Sequence, residues 1–367
     1  LSMILYSIVA DPLARCINND KQIVGIRIGS TESKIQQYAD DVTATVKDTS
    51  SLDKIMGVFK IYEKATGQTL NLDKTEIFSN HHGTKMQLQT SSHKTYMKQR
   101  ITVLGQMIGQ NHEKDTWKLV REKLEKSLNI YRGRKLTWIG KTTILHSIAA
   151  GKILYHARSI TARNEDIRKM ESIFYSFFWA PEKIETISRK RLIAEKQHGG
   201  MQLPHIKSKI WAAHIEKLAI LSRINQYTEF WQRHLTYVLG TKTKEINPEI
   251  YANNHIYSEG NSSYARSLIA TWESFKWSRT DWNECTYREI YKKLKLEVEN
   301  KHQVYTQDGI LMPWEKITSK LPWQQDLVKN KERIIIYRIV HNGYILGKRK
   351  HDMGFINRKQ FDYKCVA

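Results

Sequence analysis

Near residue 110 the hydrophobic pattern of the chain changes period, and few architectures accommodate such a change. Before it, short apolar runs are punctuated by turn residues and several alternate in twos. After it, apolar residues recur every three or four positions over long stretches. A small α+β front followed by a mostly α-helical remainder is the fold class this pattern predicts.

In the front, Ile4, Leu5, Ile8, Val9, Leu13 and Ile17 fall at helical spacing over residues 3–19, and Pro12 should kink or interrupt that helix. A strand is expected over 21–29. Two short strands, 34–39 and 42–46, flank a turn at Asp40-Asp41. A helix follows from Ser51 to Thr66, capped by Ser50 or Ser51 and ended by Gly67. Strands are expected over 73–78 and 101–108. Beyond the change of period, helices are expected over 115–131, 137–158, 164–179 and 206–226, then a polar linker over 241–263. Further helices, broken at Pro313 and Pro322, close with one from Lys331 to Ile345. The divisions are therefore 1–110, 111–240 and 241–367.

Charge follows the same division. The 367 residues hold 59 Lys and Arg against 37 Asp and Glu, a formal net charge of +22. Residues 1–82 carry 9 basic and 10 acidic side chains, whereas 83–169 carry 18 and 6. A near-neutral front joined to a strongly basic middle suits a catalytic piece beside one that grips a polyanion, most often nucleic acid. Lysines that merely solvate helix faces are the plainer reading of the same count. No run of about eighteen apolar residues exists, so no membrane span is expected. The apolar start lacks a basic leader and does not read as a secretion signal. Cys16, Cys285 and Cys365 lie far apart, which suits a reducing compartment rather than a disulfide framework.

Tyr38-Ala39-Asp40-Asp41 is the stretch that points to chemistry. Phosphoryl transfer onto a growing strand uses two divalent ions about 3.5–4 Å apart, held by clustered carboxylates. Magnesium prefers hard oxygen donors. Adjacent aspartates on a regular strand point to opposite faces, whereas on a tight turn both can approach one ion. Apolar strands on each side would anchor that turn.

This Tyr-Ala-Asp-Asp hairpin resembles the catalytic turn of reverse transcriptases. Leu1-Ser2 with Ile4-Leu5-Tyr6 resembles the end of the motif that leads into the family's palm helix. Gly67-Gln68-Thr69-Leu70-Asn71-Leu72-Asp73-Lys74-Thr75 is similar to the Gly-x-x-x-Asn-x-x-Lys-Ser/Thr motif that follows the turn, and Val103-Leu104-Gly105 to the hairpin bordering the primer end. Trp138-Ile139-Gly140-Lys141, Phe177-Phe178-Trp179 and Gly199-Gly200-Met201-Gln202-Leu203-Pro204 resemble the thumb and its continuation in LINE-type, non-LTR retrotransposon enzymes. The resemblance covers residues 1 to about 220.

The resemblance implies a partial palm, a helical thumb and a basic helical C-terminal region, in an RNA-directed DNA polymerase acting on an RNA template, a DNA primer and deoxynucleoside triphosphates. Asp40 and Asp41 would hold magnesium, two ions in the complete enzyme, with manganese as the alternative. Lys74 would meet the incoming nucleotide's phosphates and join the aspartates as a catalytic group. Ser2, Tyr38, Ala39 and Gly105 would border nucleotide and primer. Arg132, Arg134, Lys135 and Lys141 would grip phosphates, and Trp138 would stack on a base or on an arginine; most tryptophans read as core. The family's other metal-binding aspartate lies upstream of Leu1, so the chain alone is not expected to polymerise. A zinc knuckle would follow the last residues, and Cys365 alone builds no zinc site. Action on chromosomal DNA implies a nuclear and cytoplasmic ribonucleoprotein, not a secreted protein. A non-catalytic nucleic-acid-binding relic is the alternative from another functional class.

Overall fold

The computed structural model describes residues 2–28, 31–109, 112–180, 185–196, 200–219, 263–275, 285–298, 304–305 and 311–312. It is α+β, with helices dominating and small antiparallel sheets confined to two-stranded ribbons. Two compact units are present. One comprises Leu1–Leu119, Ser159–Thr161 and Lys217–Glu284, the other Val120–Arg158, Ala162–Glu216 and Cys285–Ala367.

In the first unit, helix α1 (Ser2–Asn19) runs through Pro12 as one assigned helix rather than breaking there. The ribbons β1–β2 (Ile26–Ile28, Thr31–Ser33) and β3–β4 (Ile35–Tyr38, Asp41–Ala44) follow, then α2 (Thr49–Thr66). Leu13 and Ile17 of α1, Ile23, Ile35 of β3 and Ile55 of α2 form one buried cluster, with Val42, Val46 and Phe59 packed against it. The i, i+4 pair on α1 and the inward side of β3 thus meet the apolar face of α2.

A buried lysine ties the same elements together. The Lys34 ammonium donates to the carbonyls of Asn18, 3.1 Å, and Asp20, 2.7 Å, at the C-terminal end of α1. A cation is favoured there because the last carbonyls of a helix lack partners and carry its negative dipole end. The strand expected over 21–29 is reduced to Ile26–Ile28, because turns occupy its start.

The N-cap of α2 is Asp48, not Ser50 or Ser51. Its carboxylate accepts from the Ser51 backbone N–H at 2.7 Å. The Ser51 hydroxyl is buried and accepts from the Val24 N–H at 3.0 Å, so it is committed elsewhere. Gly67 ends α2 at φ 73°, as its position just past the last helical residue predicts. The expectation of a strand over 73–78 fails. Leu72–Lys74 is a 3-10 turn, and Ile77 forms only an isolated bridge to Met97. A short helix α3 (His82–Thr90) and a 3-10 segment Ser92–Tyr96 lie in a stretch to which the hydrophobic period assigned no element. The strand expected over 101–108 is a tight hairpin, β5 (Arg100–Val103) and β6 (Gln106–Gly109).

The unit boundary falls inside α4 (His112–Arg132). In the second unit, α5 (Trp138–Ile144), a π-helical turn Leu145–Ala149 and α6 (Ala150–Ala157) occupy what the sequence reads as one helix. Helix α7 (Asn164–Trp179) matches its expected bounds. Helix α8 (Arg189–Ile193), helix α9 (Ile206–Ala219), α10 (Ser263–Phe275, in the first unit) and α11 (Tyr287–Val298) follow, with a last ribbon β7–β8 at Val304–Tyr305 and Leu311–Met312. Leu124, Leu128, Leu145, Ile153, Phe174 and Phe178 supply much of the second unit's buried volume. The end of the helix expected to Gln226, the linker up to 262 and the helix expected from Lys331 lie outside the described residues, as does Cys365. Among the described residues Cys16 and Cys285 form no disulfide. Among the described residues no helix is long and apolar enough to cross a membrane.

Candidate functional site

The β3–β4 hairpin closes through two residues, Ala39 and Asp40, with Tyr38 paired to Asp41. The turn is therefore Ala39-Asp40, and Asp41 opens β4 rather than sharing the turn as expected. Ala39 has φ 53°, since a two-residue hairpin turn compatible with strand twist needs positive φ at its first position. Tyr38, Ala39, Asp40 and Asp41 are all exposed, Tyr38 to 70%. The strands behind the tip are fixed by Ile35 and Val42, both packed on the core. The two carboxylates are thus displayed at the end of an anchored ribbon.

Tyr6 is a residue that sequence reasoning did not single out for chemistry. Tyr6, on α1, has its phenol pKa pushed up by burial, then by the neighbouring Tyr62 hydroxyl, then by the Asp40 carboxylate. Helix α1 packs against β3, so Tyr6 stands on an element that adjoins the hairpin. The Tyr62 hydroxyl lies 3.1 Å from the Val9 carbonyl and 3.0 Å from the Gln68 amide oxygen. Gln68 belongs to the segment that follows α2, so the Tyr62 hydroxyl ties that segment to α1. Tyrosines at helical spacing on an otherwise apolar face gave no sign of this.

The segment from Gly67 to Thr75 resolves into local physical roles. Gly67 supplies the left-handed C-cap. The Leu70 N–H bonds the Glu63 carboxylate at 2.5 Å and holds the chain against the helix it has just left. The Asn71 side chain accepts from the Lys74 N–H at 3.2 Å, and the Thr75 hydroxyl donates to the Asn71 carbonyl at 2.8 Å. Asn71 and Thr75 therefore build the turn, and Lys74 stands exposed on it. Gly105 sits in the β5–β6 turn at φ 80°, after Leu104 at φ 48°, so both turn residues are left-handed. Neither Lys74 nor Gly105 shares a hydrogen bond or ion pair with the two aspartates. Ser2 begins α1, and its side chain lies outside the described residues.

As donors, Asp40 and Asp41 offer hard carboxylate oxygens with open coordination space, which suits magnesium or manganese. Among the described residues no group of three or more His, Cys, Asp or Glu side chains is arranged to hold a metal. The pair fits one side of a magnesium shell and is too small a set for two ions.

The five residues expected to contact nucleic acid separate into two kinds. Arg132 ends α4, and Arg134 and Lys135 lie in the loop after it; all three are exposed, and the Arg134 guanidinium lies 5.2 Å from the Tyr131 ring centre. Trp138 is buried, with its ring 5.4 Å from Phe178 and 5.6 Å from Trp179. Lys141 is also buried, donating to the carbonyls of Phe178, 2.9 Å, and Ala180, 2.5 Å, at the end of α7. In this conformation Trp138 and Lys141 serve the core, and neither is displayed to a ligand. The spacing on α5 could have shown this: Trp138, Thr142 and Leu145 share one face and are all buried.

No protein-family model matches the chain.

Proposed function

We propose that the chain is part of an RNA-directed DNA polymerase of the non-LTR retrotransposon kind, comprising the carboxylate hairpin of the palm and the helical thumb that follows. The observation that carries the reading is the exposed Asp40-Asp41 pair at the tip of a core-anchored hairpin. Order along the chain adds support. The carboxylate hairpin is followed by the Asn71-built turn presenting Lys74 and then by the two-residue Leu104-Gly105 hairpin.

In this reading Asp40 and Asp41 hold magnesium together with at least one further carboxylate. Bound magnesium neutralises charge on the attacking and leaving oxygens. Lys74 meets nucleotide phosphates as a mobile cation. Tyr38 and Ala39 border the primer end, and Gly105 lets the second hairpin approach it. Arg132, Arg134 and Lys135 hold the template–primer backbone through phosphate contacts that read no sequence. RNA template, DNA primer and deoxynucleoside triphosphates are then the partners, and the setting is an intracellular ribonucleoprotein.

One observation favours a second reading, a binder without catalysis. The described residues hold no complete metal-ligand group, whereas the net charge of +22 needs only a polyanion. RNA-templated primer extension by the complete polypeptide, with template binding measured in parallel, separates the two. Asp40→Asn and Asp41→Asn should each abolish extension by about a hundredfold or more while binding persists. Extension or other function unchanged by both substitutions supports the binder.

A further inference from the structure

The stretch that presents Lys74 has little apolar surface to hold it. From Gly67 to Lys74 only Leu70 is other than exposed, and Leu72 is 46% accessible. Burial therefore does not set its course, and polar bonds from α2 do. Two successive residues of α2 supply them. The Glu63 carboxylate accepts from the Leu70 N–H at 2.5 Å. The Tyr62 hydroxyl lies 3.0 Å from the side-chain amide of Gln68. Asn71 then folds the 3-10 turn on which Lys74 stands.

The Tyr62 hydroxyl has a second partner, the Val9 carbonyl of α1 at 3.1 Å. Val9 stands three residues before Pro12, inside the same helix. Proline has no N–H, and its ring crowds the carbonyls of the preceding turn, so a carbonyl there gains from a donor outside the helix. A phenol carries one proton and donates once. It donates to Val9. The Gln68 amide, whose oxygen and nitrogen exchange places by rotation about its terminal bond, then donates its NH2 to the phenol oxygen. The Tyr62 ring packs on the buried cluster of Leu13, Ile17, Ile23, Ile35 and Ile55, as does Val42. Ile35 and Val42 belong to the two strands of the carboxylate hairpin. One side chain thus meets the core that anchors the hairpin with its ring, α1 with its proton and the Lys74 segment with its oxygen.

We propose that Tyr62 is a positioning residue: its hydroxyl, shared between Val9 and Gln68, sets where Lys74 stands relative to the Asp40-Asp41 hairpin. The proposal rests on the polymerase reading, in which Lys74 meets the nucleotide phosphates. Tyr62 acts through Gln68 and not on the nucleotide itself. Lys74 contacts the phosphates before transfer as well as during it, so its displacement weakens nucleotide binding more than it slows the chemical step. Loss of the hydroxyl releases the Gln68 end of the segment, whereas a Phe ring keeps the core contact.

The experiment is RNA-templated primer extension by the complete polypeptide carrying Tyr62→Phe, with nucleotide and primer–template concentrations varied separately. KM for the nucleotide should rise about threefold to tenfold, the worth of one hydrogen bond, with kcat and the KM for primer–template unchanged. A protein that is merely destabilised would instead lose apparent kcat with both KM values retained, because fewer molecules are folded. Gln68→Ala should raise the nucleotide KM to the same extent, and the double variant no further. Hydrogen exchange supplies a readout that needs no activity. The Leu70 and Lys74 amides should exchange faster in Tyr62→Phe, while the amide of the buried Ile55 keeps its rate. Unchanged exchange at Leu70 and Lys74 overturns the proposal, and so does an unchanged nucleotide KM where the parent is active. A parent that extends no primer overturns the polymerase reading, and this proposal with it; an active parent matched by Tyr62→Phe overturns this proposal alone.

Discussion

Lys141 shows how a single residue's surroundings decide between two readings of a cation. In the sequence it stands among Arg132, Arg134 and Lys135 and reads as one more phosphate contact. In the fold its ammonium is buried and supplies donors to two carbonyls at the end of α7. A cation at a helix C-terminus complements the dipole, and its removal strands both acceptors in a dry place. Lys141→Met is therefore expected to destabilise the protein by about 1–3 kcal/mol. Denaturant melts check this. Affinity for a nucleic-acid duplex, measured where the variant is still folded, should change little. Asp40 and Asp41 are legible as exposed carboxylates, because a short polar stretch between apolar runs marks a hairpin end, although Asp41 opens β4 rather than sharing the turn. Tyr6 was not legible, because its importance lies in a neighbour that is distant in sequence.

At the scale of elements, helices were read well where one face is apolar over several turns, as for α7. Short elements were not. The 3-10 turn at Leu72–Lys74 is built by the Asn71 side chain, a local bond that apolar periodicity does not report. The π turn at Leu145–Ala149 leaves the buried stripe almost unchanged, so the sequence shows one continuous helix. The two serines that precede the apolar face point to a serine cap for α2. Ser51 is instead buried against Val24, and Asp48 caps. Asp48→Ala should cost about 1 kcal/mol at neutral pH. The bond from the Ser51 N–H is the main cause that holds the Asp48 carboxyl below its ordinary value of 3.8. The sign follows: this contribution is complete above the ordinary carboxylate value and disappears as pH falls through the lower, folded value. Thermal melts of parent and Asp48→Ala should differ at pH 6 and converge below the carboxylate range.

Among the described residues, the change of hydrophobic period near residue 110 anticipates the α+β front and the helices that follow it up to residue 219, because both are set by which faces must be buried, but not the β7–β8 ribbon at 304–312, where helices were expected. It does not anticipate where the compact units divide, since the boundary lies within α4, a helix with no break in its pattern. Charge was equally informative and equally coarse. It separates a near-neutral front from a basic middle, yet it cannot distinguish an exposed Arg134 from a buried Lys141.

The claim on which the functional account turns is that Asp40 and Asp41 are ligands of the catalytic ion, and exchanging ligand softness tests it directly. The measurement is RNA-templated primer extension by the complete polypeptide carrying Asp40→Cys or Asp41→Cys, in magnesium and then in manganese or cadmium. A thiolate is a poor ligand for magnesium and a better one for softer ions. The account predicts extension lost in magnesium and partly restored by the softer ions. Extension in magnesium equal to that of the parent would contradict it.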